Sequence, residues 1–424
     1  MPPQCCRAPL HITSLTDCIA MPLNNKHHIA VSGMGCCCAA GPDLATIWRN
    51  LRRGELPCPG PPPFACKQPQ PVFACTAPLL FSSPFLRRPP DTDNRTLLLA
   101  LQACLEALTS AALTAEDLAG QRLGIALGTT VRCHFHDDDY FLAWQQGKRP
   151  ETKPLLRFLN ENLATALQEI LGSRGPTSVV TNACASGTDA IGLAAGWLRH
   201  DLCDLVICGG ADELSRLAFH GFTALMLTSN APCTPFATGR RGLNLGEGAG
   251  ILLLEREPAR RRRGARAQGW LRGYGAGADG YHPTAPHPEG RGLQEAIRSA
   301  MRWANLHLDD IVLINGHGTG TMANDLAETT ALKNLGFTTT PLLSTKGATG
   351  HTLGAAGGIE AVLTLRALQE GATFGTIGCH DPDPALPIQP LCQGEEVSLA
   401  GRLGLSHSLA FGGGNAALIL EGAS

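Results

Sequence analysis

A chain of 424 residues, 44% hydrophobic and 17% charged, has the composition of a globular protein and enough length for a large core. No run approaches the ~18 apolar residues of a membrane span, and a formal net charge of −2 gives no electrostatic reason to expect a nucleic acid partner. The 17 cysteines are odd in number and lack paired spacing, which points to reduced thiols and a cytoplasmic location rather than a disulfide framework.

Residues 1–26 show no clear periodicity and no signal-peptide core, and they read as an appendage. Met21, just before the first strand, is the expected natural start. His28–Gly35 reads as a buried strand ending in a glycine turn, followed by a helix over 42–53; the Gly-x-Gly lacks the third glycine of a nucleotide fingerprint. The proline-rich segment 57–90 is a surface connection. A helix is predicted over 93–113, a strand over 121–131, an amphipathic helix over 155–171, and strands over 176–181, 204–212 and 246–255. The basic stretch 256–266, with Arg260, Arg261, Arg262, Arg263 and Arg266, is either a solvated face or a docking patch for an acidic partner.

The pattern then restarts: strands over 269–278, 311–315, 342–344 and 416–420, with helices over 289–304, 324–335 and 354–368. Alternating strands and helices with glycines at their junctions predict mostly parallel sheets covered on both faces. Placing Cys184 over His351 aligns Gly187 with Gly354, Ala194 with Ala361, Leu198 with Leu365 and Arg199 with Arg366. This reads as an internal duplication in which each half brings one helix N-terminus to a shared centre.

Cys184 stands where the strand 176–181 turns into a helix through Ala183, Ala185, Ser186 and Gly187. Small neighbours admit a substrate carbonyl, and a helix start favours thiolate, so Cys184 is a candidate acyl-transfer nucleophile; the alternative is a core cysteine. His317 follows a strand and His351 opens a helix, both among residues too small to cover them, and Phe411-Gly-Gly-Gly-Asn415 is a glycine turn before the last strand. A metal module on His134-Phe-His136-Asp-Asp-Asp139 is a further alternative, weakened by the lack of a second ligand cluster.

Taken together, Asn182-Ala-Cys184-Ala-Ser-Gly, His317-Gly-Thr-Gly-Thr321, Lys346-Gly-Ala-Thr-Gly-His351 and Phe411-Gly-Gly-Gly-Asn415 resemble the β-ketoacyl-acyl carrier protein synthases, decarboxylating condensing enzymes of the thiolase superfamily. The resemblance runs from about His27 to the C-terminus. It implies a thiolase fold, α/β, with two pseudo-repeated halves, each with a central mixed sheet, in a five-layered α-β-α-β-α sandwich. The N-terminal half would span 27–258 and the C-terminal half 259–424. It further implies an acyl group carried on Cys184, enolate stabilisation by His317 and His351, and an oxyanion held by the backbone N–H groups of Cys184 and Phe411. Lys346 is either an electrostatic helper or the ion-pair partner of Glu360, and Glu328 orders the site. Thr284, Thr319 and Thr321 would bind the phosphopantetheine arm, and Val131 would face the acyl tip.

The implied partners are an acyl carrier protein and a second subunit, either another copy or a related ketosynthase-like chain; no cofactor is implied beyond the carrier's phosphopantetheine. Arg87, Arg88, Arg240, Arg241 and the 260–266 run are the candidate carrier-docking arginines. The rival readings are a non-catalytic chain-length partner, opposed by the retained Cys184, His317 and His351, and a coenzyme A thiolase, opposed by the two-histidine arrangement and the lack of a second catalytic cysteine near the C-terminus. Two departures stand out. Gly320 replaces a usual Ser, and Phe236-Ala-Thr-Gly-Arg240-Arg241 lacks the usual acidic residues, which puts that segment's ion pairs in doubt. The pathway, fatty acid or polyketide and aryl polyene, is open.

Overall fold

The computed structural model describes residues 29–423 other than 56, 78, 80–81, 91–93, 131–134, 153–154 and 157–161. Residues 1–26 and Val131 therefore lie outside the described residues, as does His134 of the acidic segment.

The strands are β1 (Ile29–Cys38), β2 (Leu123–Gly128), β3 (Thr177–Val180), β4 (Leu205–Asp212), β5 (Gly248–Arg256), β6 (Gly269–Ala278), β7 (Ile311–Asn315), β8 (Leu342–Leu343), β9 (Ala372–Phe374), β10 (Glu396–Ser398), β11 (Leu403–Leu409) and β12 (Gly414–Gly422). In the first half the order is β3-β2-β4-β5-β1, with β2 parallel to β3 and β4 and with β5 antiparallel to β4 and β1. The second half repeats it as β8-β7-β11-β12-β6, with the same parallel and antiparallel relations. That identity of order and direction is the structural form of the duplication. The two sheets are not separate, however: β1 pairs with β6 over Ile29–Val31 and joins them into a 10-stranded ladder.

Three hydrophobic cores separate the layers. Helix Arg95–Ser110 covers the outer face of the first sheet, and Arg291–Ala304 covers the outer face of the second. Helices Ser186–Arg199 and Ala356–Glu370 lie between the sheets and pack on both. The sequences match these places. Arg291–Ala304 buries one stripe (Leu293, Ala296, Ile297, Ala300, Met301, Ala304), whereas Ala356–Glu370 is buried nearly all round, as a helix between two sheets must be.

The two central helices meet at their N-terminal ends through residues without side chains. A Cβ on Gly187 would lie 2.7 Å from the Gly354 carbonyl oxygen, and one on Gly357 would lie 2.0 Å from Thr188 Oγ1. Only glycine permits this approach, and it is what brings the end of β3 and the end of β8 to one point.

The basic run is helix Glu257–Arg263, and it is largely paired within the chain: Arg260 and Arg261 bond Glu257, while Arg263 bonds Glu255 and the Ala111 carbonyl. Arg260 and Arg263 are thus largely turned inward, while Arg261 keeps most of its side chain in solvent despite its pair with Glu257. Among the described residues no helix is long and apolar enough to cross a membrane.

Candidate active site

After β3 the chain makes a strained turn. Ala183 adopts φ +44°, in the left-handed region that a residue with a Cβ rarely occupies. The turn is held by Ser186 Oγ, which donates to the Ala183 carbonyl (2.6 Å) and accepts from the Asn182 N–H (2.8 Å). Asn182 donates to Asp189 (2.7 Å), which also accepts the hydroxyl of Tyr274 from β6, tying the turn to the second half. Cys184 follows, at the mouth of helix Ser186–Arg199 and 4% exposed. Burial pushes its thiol up to about 12, against the lowering effects of the Lys346 ammonium and a hydrogen bond from the Phe411 backbone N–H. Burial thus opposes the thiolate that the helix start and Lys346 favour.

His317 lies just past β7. Its loop is drawn inward by two buried carboxylates one helical turn apart on Met322–Leu335. Glu328 accepts from the backbone N–H groups of His317 (2.6 Å) and Gly318 (2.8 Å), and Asp325 accepts from those of Thr319 (3.1 Å) and Gly320 (3.2 Å). Glu328 also binds His407 Nε2 of β11 at 2.7 Å. Burial alone would raise the Glu328 carboxyl, but the hydrogen bonds from His407 and Gly318 more than offset it and hold it below its usual range.

Lys346, 1% exposed, donates to Glu360 and to the His317 carbonyl (2.6 Å), and its Nζ also contacts His317 Nδ1 at 3.2 Å. An ammonium has no lone pair to offer, so Nδ1 accepts and the imidazole proton sits on Nε2. Lys346 is therefore both the ion-pair partner of Glu360 and the group that fixes the His317 tautomer.

His351 reaches the same arrangement differently. Its Nδ1 accepts from the Leu353 backbone N–H at 3.3 Å, which again leaves the proton on Nε2. Burial, reinforced by Lys346, holds both imidazoles far below the usual histidine range, so both are neutral. Their rings are 5.1 Å apart at 83°, and Cys184 Sγ lies within 4.8 Å of a nitrogen of each. The cluster presents a thiol, two neutral N–H donors and the Phe411 amide. Phe411 stacks on Phe222 (5.1 Å, 20°), whose edge faces His351.

Thr319 Oγ1 and Thr321 Oγ1 are 2.9 Å apart on the His317 loop. Thr284 sits on a different segment, after β6, next to the Phe411 turn, where the Gly412 N–H donates to the Pro283 carbonyl at 2.7 Å. Both sequence departures have local explanations. A Cβ on Gly320 would lie 2.8 Å from Cys233 Sγ, so the Cys233 thiol fills the space of the usual side chain. Arg240 is buried and pairs with Asp383 (2.7 Å) and Asp325 (3.4 Å), so the doubted ion pair is made with an acid from a distant segment, and Arg240 is unavailable for docking. Asp325, His407 and Phe222 were missed. Asp325 has a legible signal, a second acid three residues before Glu328; His407 has none, because β11 does not read as a strand.

The family description "Beta-ketoacyl synthase, N-terminal domain" matches residues 26–259, and "Beta-ketoacyl synthase, C-terminal domain" matches 268–380. The chain belongs to the β-ketoacyl synthase family. It is 32% identical over 409 residues to 3-oxoacyl-[acyl-carrier-protein] synthase 2 of Synechocystis sp., covering 93% of this chain and 98% of that protein. Among solved structures, the ishigamide ketosynthase/chain length factor is similar at a TM-score of 0.83 and 29% identity, over 94% of this chain and 100% of that one. The ketosynthase ApeO in complex with its chain length factor ApeC from Xenorhabdus doucetiae is similar at 0.77 and 29%, over 95% and 100%. These likenesses identify a thiolase-fold condensing enzyme of the acyltransferase class.

A buried thiol titrating near 12 should be alkylated by iodoacetamide at a rate that rises about tenfold per pH unit between roughly pH 7 and 10, in step with its thiolate fraction. Peptide mapping of Cys184 measures this; a plateau by pH 8 would show that the helix start, not burial, controls the thiol.

Proposed function

We propose that this chain is the catalytic subunit of a β-ketoacyl-carrier-protein synthase, working by decarboxylative Claisen condensation. The observation that carries the proposal is the pair of neutral imidazoles, each with its Nδ1 engaged and its proton on Nε2, that lie beside Cys184. In the first half-reaction the Cys184 sulfur attacks the thioester carbon of an acyl carrier protein, and its proton passes to the departing carrier sulfur. The oxyanion of the tetrahedral intermediate is held by the backbone N–H groups of Cys184 and Phe411, and the carrier thiol leaves. A malonyl thioester then enters. Its C–COO bond breaks, and the electron pair moves onto the α-carbon and the thioester oxygen. That oxygen, becoming negative, accepts from Nε2–H of His317 and His351, and neutral donors do so without competing protonation of the carbanion. Carbon dioxide departs, the α-carbon attacks the acyl carbon on Cys184, and the sulfur leaves as a thiolate that takes a proton from water.

Thr284, Thr319 and Thr321 are proposed to bind the pantetheine arm, and no cofactor beyond that arm is required. Glu328 and Lys346 act by fixing the His317 loop and tautomer. The free thiols of the described cysteines favour a cytoplasmic setting.

The decisive experiment is incubation with an acyl carrier protein. The acyl mass should appear on the Cys184 peptide and be absent in Cys184→Ala, and His351→Ala should still acylate while releasing carbon dioxide roughly 100-fold more slowly, the scale of one lost donor. Acylation of another cysteine would overturn the proposal.

Carrier docking is assigned first to Arg241. It is exposed and sits beside Gly242, whose N–H donates to the Gly320 carbonyl between Thr319 and Thr321. By contrast Arg88 is paired with Glu169, and Arg260, Arg261 and Arg263 are paired as described. Arg241→Glu should raise KM for the carrier-bound substrate and flatten its salt dependence, and Arg262→Glu should do neither. Equal effects of the two would remove the assignment.

A second subunit is proposed to cover β3. This edge strand exposes an unpaired ladder with half-buried Val179 and Val180, and Phe141, Leu142 and Trp144 are exposed on helix Phe135–Gln145. The solved relatives named as ketosynthase with chain length factor support a related subunit over a second copy. Native mass after expression alone and with a related subunit decides: a stable homodimer indifferent to the added subunit would reject the heterodimer.

A further inference from the structure

The two residues that strain the backbone beside the reacting groups are in different halves of the chain. Ala183 (φ +44°) precedes Cys184, and Leu353 (φ +52°) follows His351 and supplies the N–H that fixes its tautomer. A non-glycine residue persists in that region only when its surroundings enforce it. Ala183 is held from two sides, by Ser186 Oγ and by Thr130 Oγ1, which donates to the Ala183 carbonyl at 3.1 Å. The Thr130 backbone N–H in turn donates to both oxygens of Asp212 (3.1 and 2.9 Å), and Thr129 Oγ1 donates to Oδ1. Across the junction between the halves, the same carboxylate accepts the N–H of Gly354, the residue after Leu353, at 2.6 Å. Asp212 is fully buried at the end of β4, and a Cβ on Gly354 would lie 2.8 Å from Asp212 Oδ2 and 2.7 Å from Thr129 Cα. The contact is therefore backbone against carboxylate, with no room for slack.

We infer that Asp212 is a positioning residue that sets the register of His351 against Cys184 by fastening both strained turns to one carboxylate. The inference rests on the roles proposed above for those two residues. An acceptor on each oxygen is what the position requires: Oδ1 takes the Thr129 hydroxyl and shares the Thr130 amide, and Oδ2 takes the Gly354 amide of the second half at 2.6 Å together with the Thr130 amide at 2.9 Å. In Asp212→Asn the side chain keeps its shape but one end becomes an N–H₂ donor. The amide oxygen turns to the Gly354 and Thr130 N–H groups and the N–H₂ to the Thr129 hydroxyl, so a neutral acceptor holds the Gly354 N–H more weakly than the carboxylate did, and the loss falls on the Leu353 turn and hence on His351 Nδ1.

The test reads histidine tautomers directly, by ¹⁵N NMR of histidine-labelled protein, alongside the two half-reactions. In the wild type both His317 and His351 should show a single Nε2–H tautomer. In Asp212→Asn, His351 should become a mixture while His317, fixed independently by Lys346, stays as it was. Acylation of Cys184 should remain within about threefold and carbon dioxide release should fall roughly tenfold or more, part of the effect of losing a donor outright. Thr129→Val, which only frees the carboxylate to rotate, should move His351 in the same direction by less and serves where Asp212→Asn folds poorly. An unchanged His351 in both variants, or equal changes at His317 and His351, overturns the inference. Because the tautomer is observed without turnover, a wild type with locked histidines but no acylation of Cys184 rejects the proposed reaction and leaves the positioning role standing.

Discussion

The structure depends on the near-contact of two helix ends. Ser186–Arg199 and Ala356–Glu370 approach until the Gly187 Cα faces the Gly354 carbonyl, a spacing that no side chain allows. Each helix lies between both sheets, so neither can withdraw without opening the core that Ile191, Ala194, Ile359 and Val362 form with β1, β4 and β12. Close packing of this kind transmits small displacements. Whatever stands at the mouth of either helix is thereby fixed relative to the other, and what stands there is Cys184 and His351.

The second constraint is electrostatic. Lys346, Glu360, Glu328, Asp325 and Arg240 are all buried, and removing such charges from water costs several kcal/mol each unless they are paired and hydrogen bonded. Paired ions of this sort rarely outperform a well-packed apolar core in stability. Their value here is orientation. Glu328 and Asp325 give the His317 loop acceptors for four successive amides, from His317 to Gly320, and Lys346 decides which nitrogen of His317 carries the proton. The charges convert a loop of small residues, flexible by composition, into a fixed donor.

Elements with apolar runs or clear helical spacing were legible: β4, β6, β7 and helix Arg291–Ala304 stand within two residues of their predicted bounds. The strand β11 was not. Its sequence, Leu403–Leu409, carries Ser406, His407 and Ser408, all buried, because its inner positions bind Glu328 and Thr188 rather than other apolar groups. A strand that serves the site loses the apolar run by which strands are read. Cys184, His317 and His351 were legible as residues that meet at one point, but not their protonation, which follows from how deeply each is buried. The arginines show the same limit. Arg260 has its partner Glu257 three residues before it on the same helix, but Arg240 looks like a free cation in the sequence, and only the fold supplies Asp383.

Protonation also separates this site from the metal centre it resembles in outline. A cysteine sulfur and two imidazole nitrogens within 4.8 Å of one another have the composition of a zinc site, in which each imidazole gives a lone pair to the ion while its other nitrogen donates outward. Here the Nδ1 atoms accept, from Lys346 and from the Leu353 amide, so the Nε2 atoms carry the protons. A cation would meet two N–H groups and a protonated thiol beside a buried ammonium, and its binding would require both tautomers to invert against their donors. A developing enolate oxygen requires the opposite polarity, and the hydrogen bonds that oppose a cation are the ones that present donors to the anion.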